Sequence, residues 1–360
     1  QAIKRQADRL DQVIFAGFTH EPAEALARHL VAITPPQLEY VFFSDSGSTS
    51  VEVALKMALG FWRHRGENRS RILALEGAYH GDTIGGMSVG ERGVFNAPYD
   101  PLLFDVERLP FPSSGREQAT LDALSAACRN QAVAALIVEP LVLGAGGMLI
   151  YAPSVLSEMK RICQAHGVLF IADEVMTGWG RTGTLFACEQ AEVAPDIACY
   201  SKGLTGGSLP LAVTLCRGDI FDAHYSTDRT RTFFHSSSYT ANPIACAAAL
   251  ANLEIWRNEP VMERIARLAA LHRARLDRFR EDRRFANVRQ IGTIAALDLV
   301  ASDAGYMANI GPALYQSFLA RGLLVRPLGN TIYIMPPYCS TEGELDLVYE
   351  AIGEIADEIA

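Results

Sequence analysis

The sequence predicts an α/β protein, with a large, mostly parallel sheet flanked by helices and a smaller α+β C-terminal unit. Three observations carry this. Short apolar or β-branched runs alternate with helical stretches through most of the chain. Several of these runs are uninterrupted rather than alternating, as in strands covered on both faces. The pattern then changes character at Glu259. A chain of 360 residues also exceeds the about 250–300 residues at which one hydrophobic core stops growing. Two units are therefore expected, residues 1–258 and 259–360.

Strands are predicted at Val41–Ser44, Arg71–Leu75, Ala134–Glu139, Val168–Asp173, Ile197–Tyr200 and Leu211–Cys216. Helices are predicted at Ser48–Arg65, Thr120–Asn130, Pro153–His166 and Asn242–Arg257. Alternation at this spacing implies an open sheet with helices on both faces. Beyond it come a long Arg-rich helix (Val261–Arg280), a strand over Val288–Val300 and a helix around Gly311–Ala320. A strand pair, Leu323–Arg326 with Thr331–Met335, and a final helix from Thr341 complete the chain.

The formal charge of −9 argues against a nucleic acid or an anionic membrane as partner, because either would want a basic face. The apolar runs are all far shorter than the roughly 20 residues of a membrane-spanning helix. Seven cysteines, spread without a Cys-x-x-Cys pair, argue against both a disulfide framework and a zinc site. Buried reduced thiols are expected, no metal is expected, and a cytoplasmic protein follows.

In sheets of this kind ligands bind beyond the carboxyl ends of the strands. The first strand ends in Ser44-Asp45-Ser46-Gly47-Ser48-Thr49 and opens into a helix. This is either an ordinary cap or an anion-binding turn assisted by the helix dipole. The second ends near Tyr79-His80-Gly81-Asp82. Tyr79 there is a surface aromatic or a plate offered to a planar ligand. The fourth ends in Asp173-Glu174-Val175, where a carboxylate on a buried strand needs a partner. A cationic heterocycle over Val175 with its nitrogen on Asp173 would satisfy both, and so would a salt bridge or helix cap for Asp173 alone. The fifth ends at Ser201-Lys202-Gly203. Lys202 is either a snorkelling rim residue or an amine placed to form an imine.

Phosphate turn, aromatic plate, buried Asp and amine come in this order, and together they match the needs of pyridoxal phosphate. A competing pattern, Gly178-Trp179-Gly180-Arg181-Thr182-Gly183, fits a dinucleotide fingerprint only in its glycines. Glu174–Thr177 separate it from the strand it would have to join directly to a helix.

The stretch Ile171-Ala172-Asp173-Glu174-Val175, with Gly178-x-Gly180-Arg181-Thr182-Gly183, Ala194-Pro195-Asp196-Ile197 and Ser201-Lys202-Gly203, resembles the class III aminotransferases of PLP fold type I. Supporting stretches are Asp45-Ser46-Gly47-Ser48, Tyr79-His80-Gly81-Asp82-Thr83, Gly144–Met148, Leu185–Glu189 and Arg326–Gly329 with Tyr333–Tyr338. The resemblance spans nearly the whole chain. It implies Lys202 as cofactor-bearing amine and proton carrier, and Asp173 as partner of the pyridinium nitrogen. It further implies Gly47 and Ser48 on the phosphate, Val175 under the ring, and Tyr79 stacked on the ring and lining the substrate pocket. Arg326 would receive the carboxylate of a keto-acid acceptor. Arg181 would stand behind it or offer a second carboxylate contact, Tyr333 and Asp82 would touch the amino donor, and Glu139 would orient the cofactor network.

In this family a His-Gly-x-Thr segment reaches the phosphate of the neighbouring subunit. Here it reads His235-Ser236-Ser237-Ser238-Tyr239, so Ser237 and Ser238 are expected at the cofactor, Ser236 near the substrate, and the assembly is expected to be a homodimer with a shared site. The reaction implied is amino transfer from S-adenosylmethionine to 7-keto-8-aminopelargonate. A transaminase of the ω-amino acid:pyruvate or diamine type is the second reading, and a cofactor-holding chain without catalysis the third. The family ordinarily carries a few dozen residues before the point where this chain begins, among them a Trp pair near the substrate. Trp62, Trp179 and Trp256 are not in that context, so either the chain lacks the family's N-terminal segment or its pocket is built differently.

Overall fold

The predicted strand–helix alternation is realised as one seven-stranded sheet. The computed structural model describes residues 1–359. Its first nine strands are β1 (Tyr40–Ser44), β2 (Arg71–Leu75), β3 (Glu107–Leu109), β4 (Val133–Val138), β5 (Val142–Leu143), β6 (Leu149–Ile150), β7 (Leu169–Asp173), β8 (Ile197–Tyr200) and β9 (Ala212–Cys216). The sheet order is β1-β9-β8-β7-β4-β2-β3. Pairs from β8 through β3 are parallel. β9 alone runs against its neighbours β1 and β8. β5 and β6 form a separate small hairpin.

Successive residues along the central strands enter different cores, as a period of two demands. Leu73, Leu136, Val138, Phe170 and Ala172 belong to one apolar cluster. Ile72, Ala74, Ala135, Ile137 and Ile171 belong to another on the opposite face. The first is covered by helix Pro153–Ala165 through Leu156 and Met159, the second by helix Gly47–His64 through Val51, Ala54 and Trp62. Each fully buried Leu or Ile contributes about 1.5–3 kcal/mol, which explains why these strands are unbroken apolar runs.

Helix Gly47–His64 begins two residues after β1 because Ser46 and Thr49 form a reciprocal capping box. Thr49 N donates to Ser46 Oγ at 3.2 Å, and Ser46 N donates to Thr49 Oγ1 at 2.9 Å. The helix N-terminus is thereby fixed at the carboxyl edge of the sheet.

The later part of the chain builds a third apolar cluster from Leu268, Phe279, Leu297, Phe318, Ile332 and Tyr349. Two expectations fail there. The run Val288–Val300 is not one strand but a hairpin, β10 (Phe285–Ile291) with β11 (Ile294–Leu299). Gly292, at φ +51°, turns the chain, and Thr293 N donates to Arg181 O at 3.0 Å. The apolar pattern runs through the turn and hides it. Leu323–Arg326 forms no ladder either. The segment leads into Pro327, which has no N–H to donate, and β12 (Thr331–Ile334) pairs with β11 instead. Helix Glu21–Ile33 and the β5–β6 hairpin were not expected. No helix among the described residues is long and apolar enough to cross a membrane. Six cysteines are buried and Cys339 is exposed, all as free thiols.

Candidate active site

Because β1, β2, β4, β7 and β8 point the same way, their carboxyl ends deliver Gly47–Ser48, Tyr79–His80, Glu139, Asp173–Val175 and Lys202 to one edge. All of these except Glu174, which is fully buried, line one cavity of about 1270 Å³, whose walls also include Arg181, Arg326 and Tyr333. The sequence-predicted residues are brought together with one exception. Ser236, Ser237 and Ser238 are exposed and lie outside it. Ser237 Oγ instead donates to Asp45 Oδ2.

Asp173 is 4% exposed, and no Lys or Arg among the described residues pairs with it. His80 Nδ1 lies 2.7 Å from its Oδ2, and Val175 N donates to its Oδ1 at 3.1 Å. A carboxylate has about four lone-pair sites, so it retains acceptor capacity toward the cavity. This is the environment a protonated ring nitrogen requires. Val175 and Gly47 meet closely enough that a Cβ on Gly47 would stand 2.6 Å from Val175 Cγ1, so any other residue there would displace Val175. Ser46 is the helix cap, which leaves the N–H groups of Gly47 and Ser48 at an 18-residue helix N-terminus available to an anion. The cap reading of this turn thus holds at Ser46, and the anion reading falls on the adjacent residues. The residues fit a phosphorylated, cationic heterocycle.

Lys202 sits in the left-handed region at φ +43°, a strained setting for a long side chain. The turn is held from outside: Gly207 N donates to Lys202 O at 3.0 Å, and Asn252 Nδ2 donates to Gly203 O at 2.9 Å. The strand behind it is buried, but Lys202 itself is exposed.

Glu139 is buried, and accepts from Tyr79 N and Gly144 N, each at 2.9 Å. Burial pushes its carboxyl up to about 7, with His80 opposing and Asp173 adding to the rise. It thus positions Tyr79 through the backbone. Tyr79 Oη donates to Asp82 Oδ2 at 3.0 Å. Desolvation and that bond push the phenol up to about 12, so it is a neutral donor at physiological pH. Arg181 is already engaged: Nη1 donates to Pro336 O at 2.7 Å, and the guanidinium lies 4.8 Å from the Tyr338 ring. Arg326 is exposed to the cavity, with Nη2 donating to Tyr306 Oη at 2.9 Å. Sequence reasoning gave no role to His80, Tyr306 or Phe95. His80 was within reach, since it alternates with Tyr79 beside a carboxylate that needed a partner. The other two come from loops with no spacing signal. Trp179 and Trp256 also line the cavity, although their sequence context gave no sign of it. The Gly178–Gly183 segment is a run of turns and joins no strand to a helix.

The family profile described as Aminotransferase class-III matches residues 1–356. The chain belongs to the class III aminotransferases. It is 50% identical to the adenosylmethionine-8-amino-7-oxononanoate aminotransferase of Synechococcus elongatus, over 100% of this chain and 86% of that one. To the protein of the same name from Geobacter sulfurreducens it is 38% identical, over 98% and 82%. The crystal structure of the Methanocaldococcus jannaschii protein of that name superposes on this aminotransferase with a TM-score of 0.93 at 35% identity, covering 98% and 84%. An amine transaminase from an uncultivated Pseudomonas species, solved in its PLP-bound form, gives 0.93 at 34% identity, covering 100% and 86%. The fold of this class III aminotransferase is therefore that of the PLP-dependent transaminases, as the resemblance implied.

Proposed function

We propose that the aminotransferase moves an amino group from S-adenosylmethionine to 8-amino-7-oxononanoate, the keto acid also called 7-keto-8-aminopelargonate, as a step of biotin synthesis. The observation that carries the reading is the single cavity in which Lys202, Asp173, Tyr79 and the Gly47–Ser48 turn share walls with Arg326 and Tyr333. Identity of 50% over the whole chain to a relative named for this reaction supports it over an ω-amino acid:pyruvate or diamine type.

Pyridoxal phosphate, when bound, supplies an aldehyde for the amine and an electron sink for the carbon losing its proton. Lys202 would hold the group through Nζ, and its free amine would accept and return a proton there. Asp173, fixed by His80 and Val175 N, would keep the ring nitrogen protonated. Gly47 and Ser48 would hold the phosphate, Val175 and Tyr79 would meet the ring, and Asp82 with Tyr333 would line the donor side. Arg326 pairs with the acceptor's carboxylate, for which its planar fork is suited, while Arg181 supports the pocket wall.

The same reading divides the chain into a cofactor-holding part, 1–258, and a smaller part, 259–360, that contributes Arg326 and Tyr333. It assigns Ser236, Ser237 and Ser238 to the site of a second copy in a homodimer, a role supported by their exposure and their place outside the cavity of their own chain. It also assigns the enzyme to the cytoplasm, where buried thiols stay reduced.

Borohydride reduction of the cofactor-loaded enzyme followed by peptide mapping is expected to find the pyridoxyl group on Lys202, and a label on any other lysine overturns the assignment. S-adenosylmethionine is expected to discharge the enzyme in single turnover. Discharge by alanine or a diamine, with none by S-adenosylmethionine, would select the other transaminase class.

A further inference from the structure

Arg326 does not stand alone at the cavity wall. Its Nη2 donates to Tyr306 Oη at 2.9 Å, and the Tyr306 ring packs edge-on against Phe95, with centroids 4.7 Å apart at 78°. Tyr306, Phe95 and Arg326 all line the cavity. The loop carrying Tyr306 is locked to the turn after Arg326. Gly305 N donates to Asn330 Oδ1 at 2.8 Å, and buried Asn330 donates from Nδ2 to Leu299 O at 2.9 Å. Gly329 faces this loop so closely that a Cβ there would lie 2.8 Å from the Tyr306 carbonyl carbon. Phenol and guanidinium are therefore presented together, as one hydrogen-bonded pair.

In that pair the Tyr306 oxygen accepts from Arg326, so its own hydroxyl hydrogen is not spent. A guanidinium offers five N–H donors in a plane, and only one of them goes to Tyr306. A carboxylate that meets two of the others lies next to the Tyr306 O–H.

We infer that Tyr306 is a specificity-determining residue for the acceptor: it orients the Arg326 plane and donates a third hydrogen bond to the same carboxylate. The inference rests on the acceptor reading above and deepens it. The acceptor's name fixes the chemistry: its oxo carbon is position 7 of a nine-carbon acid, so its carboxylate lies six bonds from the reacting carbon. The donor's carboxylate is on the carbon bearing the reacting amine. A contact placed for the distant carboxylate therefore acts on one half-reaction and not on the other.

The test uses the cofactor-loaded enzyme, with nonanoate and uncharged nonanamide as competitive inhibitors against the keto acid, in wild type, Tyr306→Phe and Arg326→Gln. Tyr306→Phe keeps the ring against Phe95, and an unchanged melting temperature verifies the fold. It is expected to weaken nonanoate about tenfold, as loss of a hydrogen bond to a charged group does. Nonanamide inhibition and the single-turnover rate with S-adenosylmethionine stay within about twofold. The keto-acid KM rises while kcat holds.

If Arg326→Gln weakens nonanoate and Tyr306→Phe does not, the inference fails and the acceptor reading stands. If neither substitution weakens nonanoate, the acceptor reading fails and takes the inference with it. Equal weakening of nonanoate and nonanamide by Tyr306→Phe also overturns the inference, because Tyr306 would then act through pocket shape and not on the carboxylate.

Discussion

His80 Nδ1 lies 2.7 Å from Asp173 Oδ2, and both side chains are buried. The contact joins the ends of β2 and β7 across β4, and it leaves His80 Nε2 buried without a partner. Replacing His80 with Ala removes one of two protein partners of a buried carboxylate, a loss worth about 1–3 kcal/mol. Cofactor affinity of the apoenzyme is expected to fall about tenfold. His80→Gln, which can donate from its amide, is expected to recover most of it. Fluorescence titration with pyridoxal phosphate checks both, and an unaltered affinity in His80→Ala would refute the role.

Glu139 gives a pH prediction. Burial raises its carboxyl from 4.5 to about 7. An acid whose folded pKa exceeds its unfolded one binds its proton more readily when folded. Its contribution therefore favours the fold at low pH and is lost as pH rises from about 4.5 to about 7. Glu139→Gln removes that titration. The wild-type minus variant stability is expected to fall by on the order of 3 kcal/mol across this window and to be level above it. Urea unfolding at a series of pH values measures the difference, and a flat curve would contradict the prediction.

Gly81 lies at φ +105°, and a Cβ there would come 2.9 Å from Ser48 Cα and closer still to Ser48 Oγ. Ser48 Oγ accepts from Asp82 N at 3.2 Å, so the two turns move together. Gly81→Ala is expected to cost about 1–3 kcal/mol of stability and to raise the cofactor dissociation constant. Thermal melts of the apo and cofactor-loaded enzyme separate the two effects.

Arg181 and Arg326 both line the cavity, but Arg326 gives only one donor, to Tyr306 Oη, and keeps the rest of its fork open. Arg181 is held by Pro336 O and the Tyr338 ring. Arg181→Lys is expected to lower the melting temperature by a few degrees, the effect of about 1 kcal/mol, with the keto-acid KM within about twofold. Arg326→Lys is expected to do the reverse, because an ammonium cannot pair bidentately. Steady-state kinetics beside thermal melts decide.

The central sheet was legible because its strands are unbroken apolar runs, which only a strand covered on both faces explains. Lys202, Asp173 and Gly47–Ser48 were legible because they are polar residues placed where apolar strands end. Gly292 was not, since an apolar residue precedes it and the runs on either side read as continuous. Leu323–Arg326 misled for the opposite reason: it has strand-like composition, but it leads into Pro327, which has no N–H to donate, and it joins no ladder. Tyr306 and Phe95 had no sequence signal because their meeting depends on the packing of two loops more than two hundred residues apart.

The reversed direction of β9 has a metric consequence. It separates the strand ending at Gly47–Ser48 from the strand ending at Lys202, so those two exits stand two interstrand spacings apart, about 9–10 Å. Running the other way, β9 presents its entry at this edge, and Ser201 Oγ donates to Leu211 O there at 2.8 Å. No strand exit intrudes between anion turn and amine. The sheet acts as a ruler for the molecule it holds: the one strand between the two anchors sets their interval and carries neither of them.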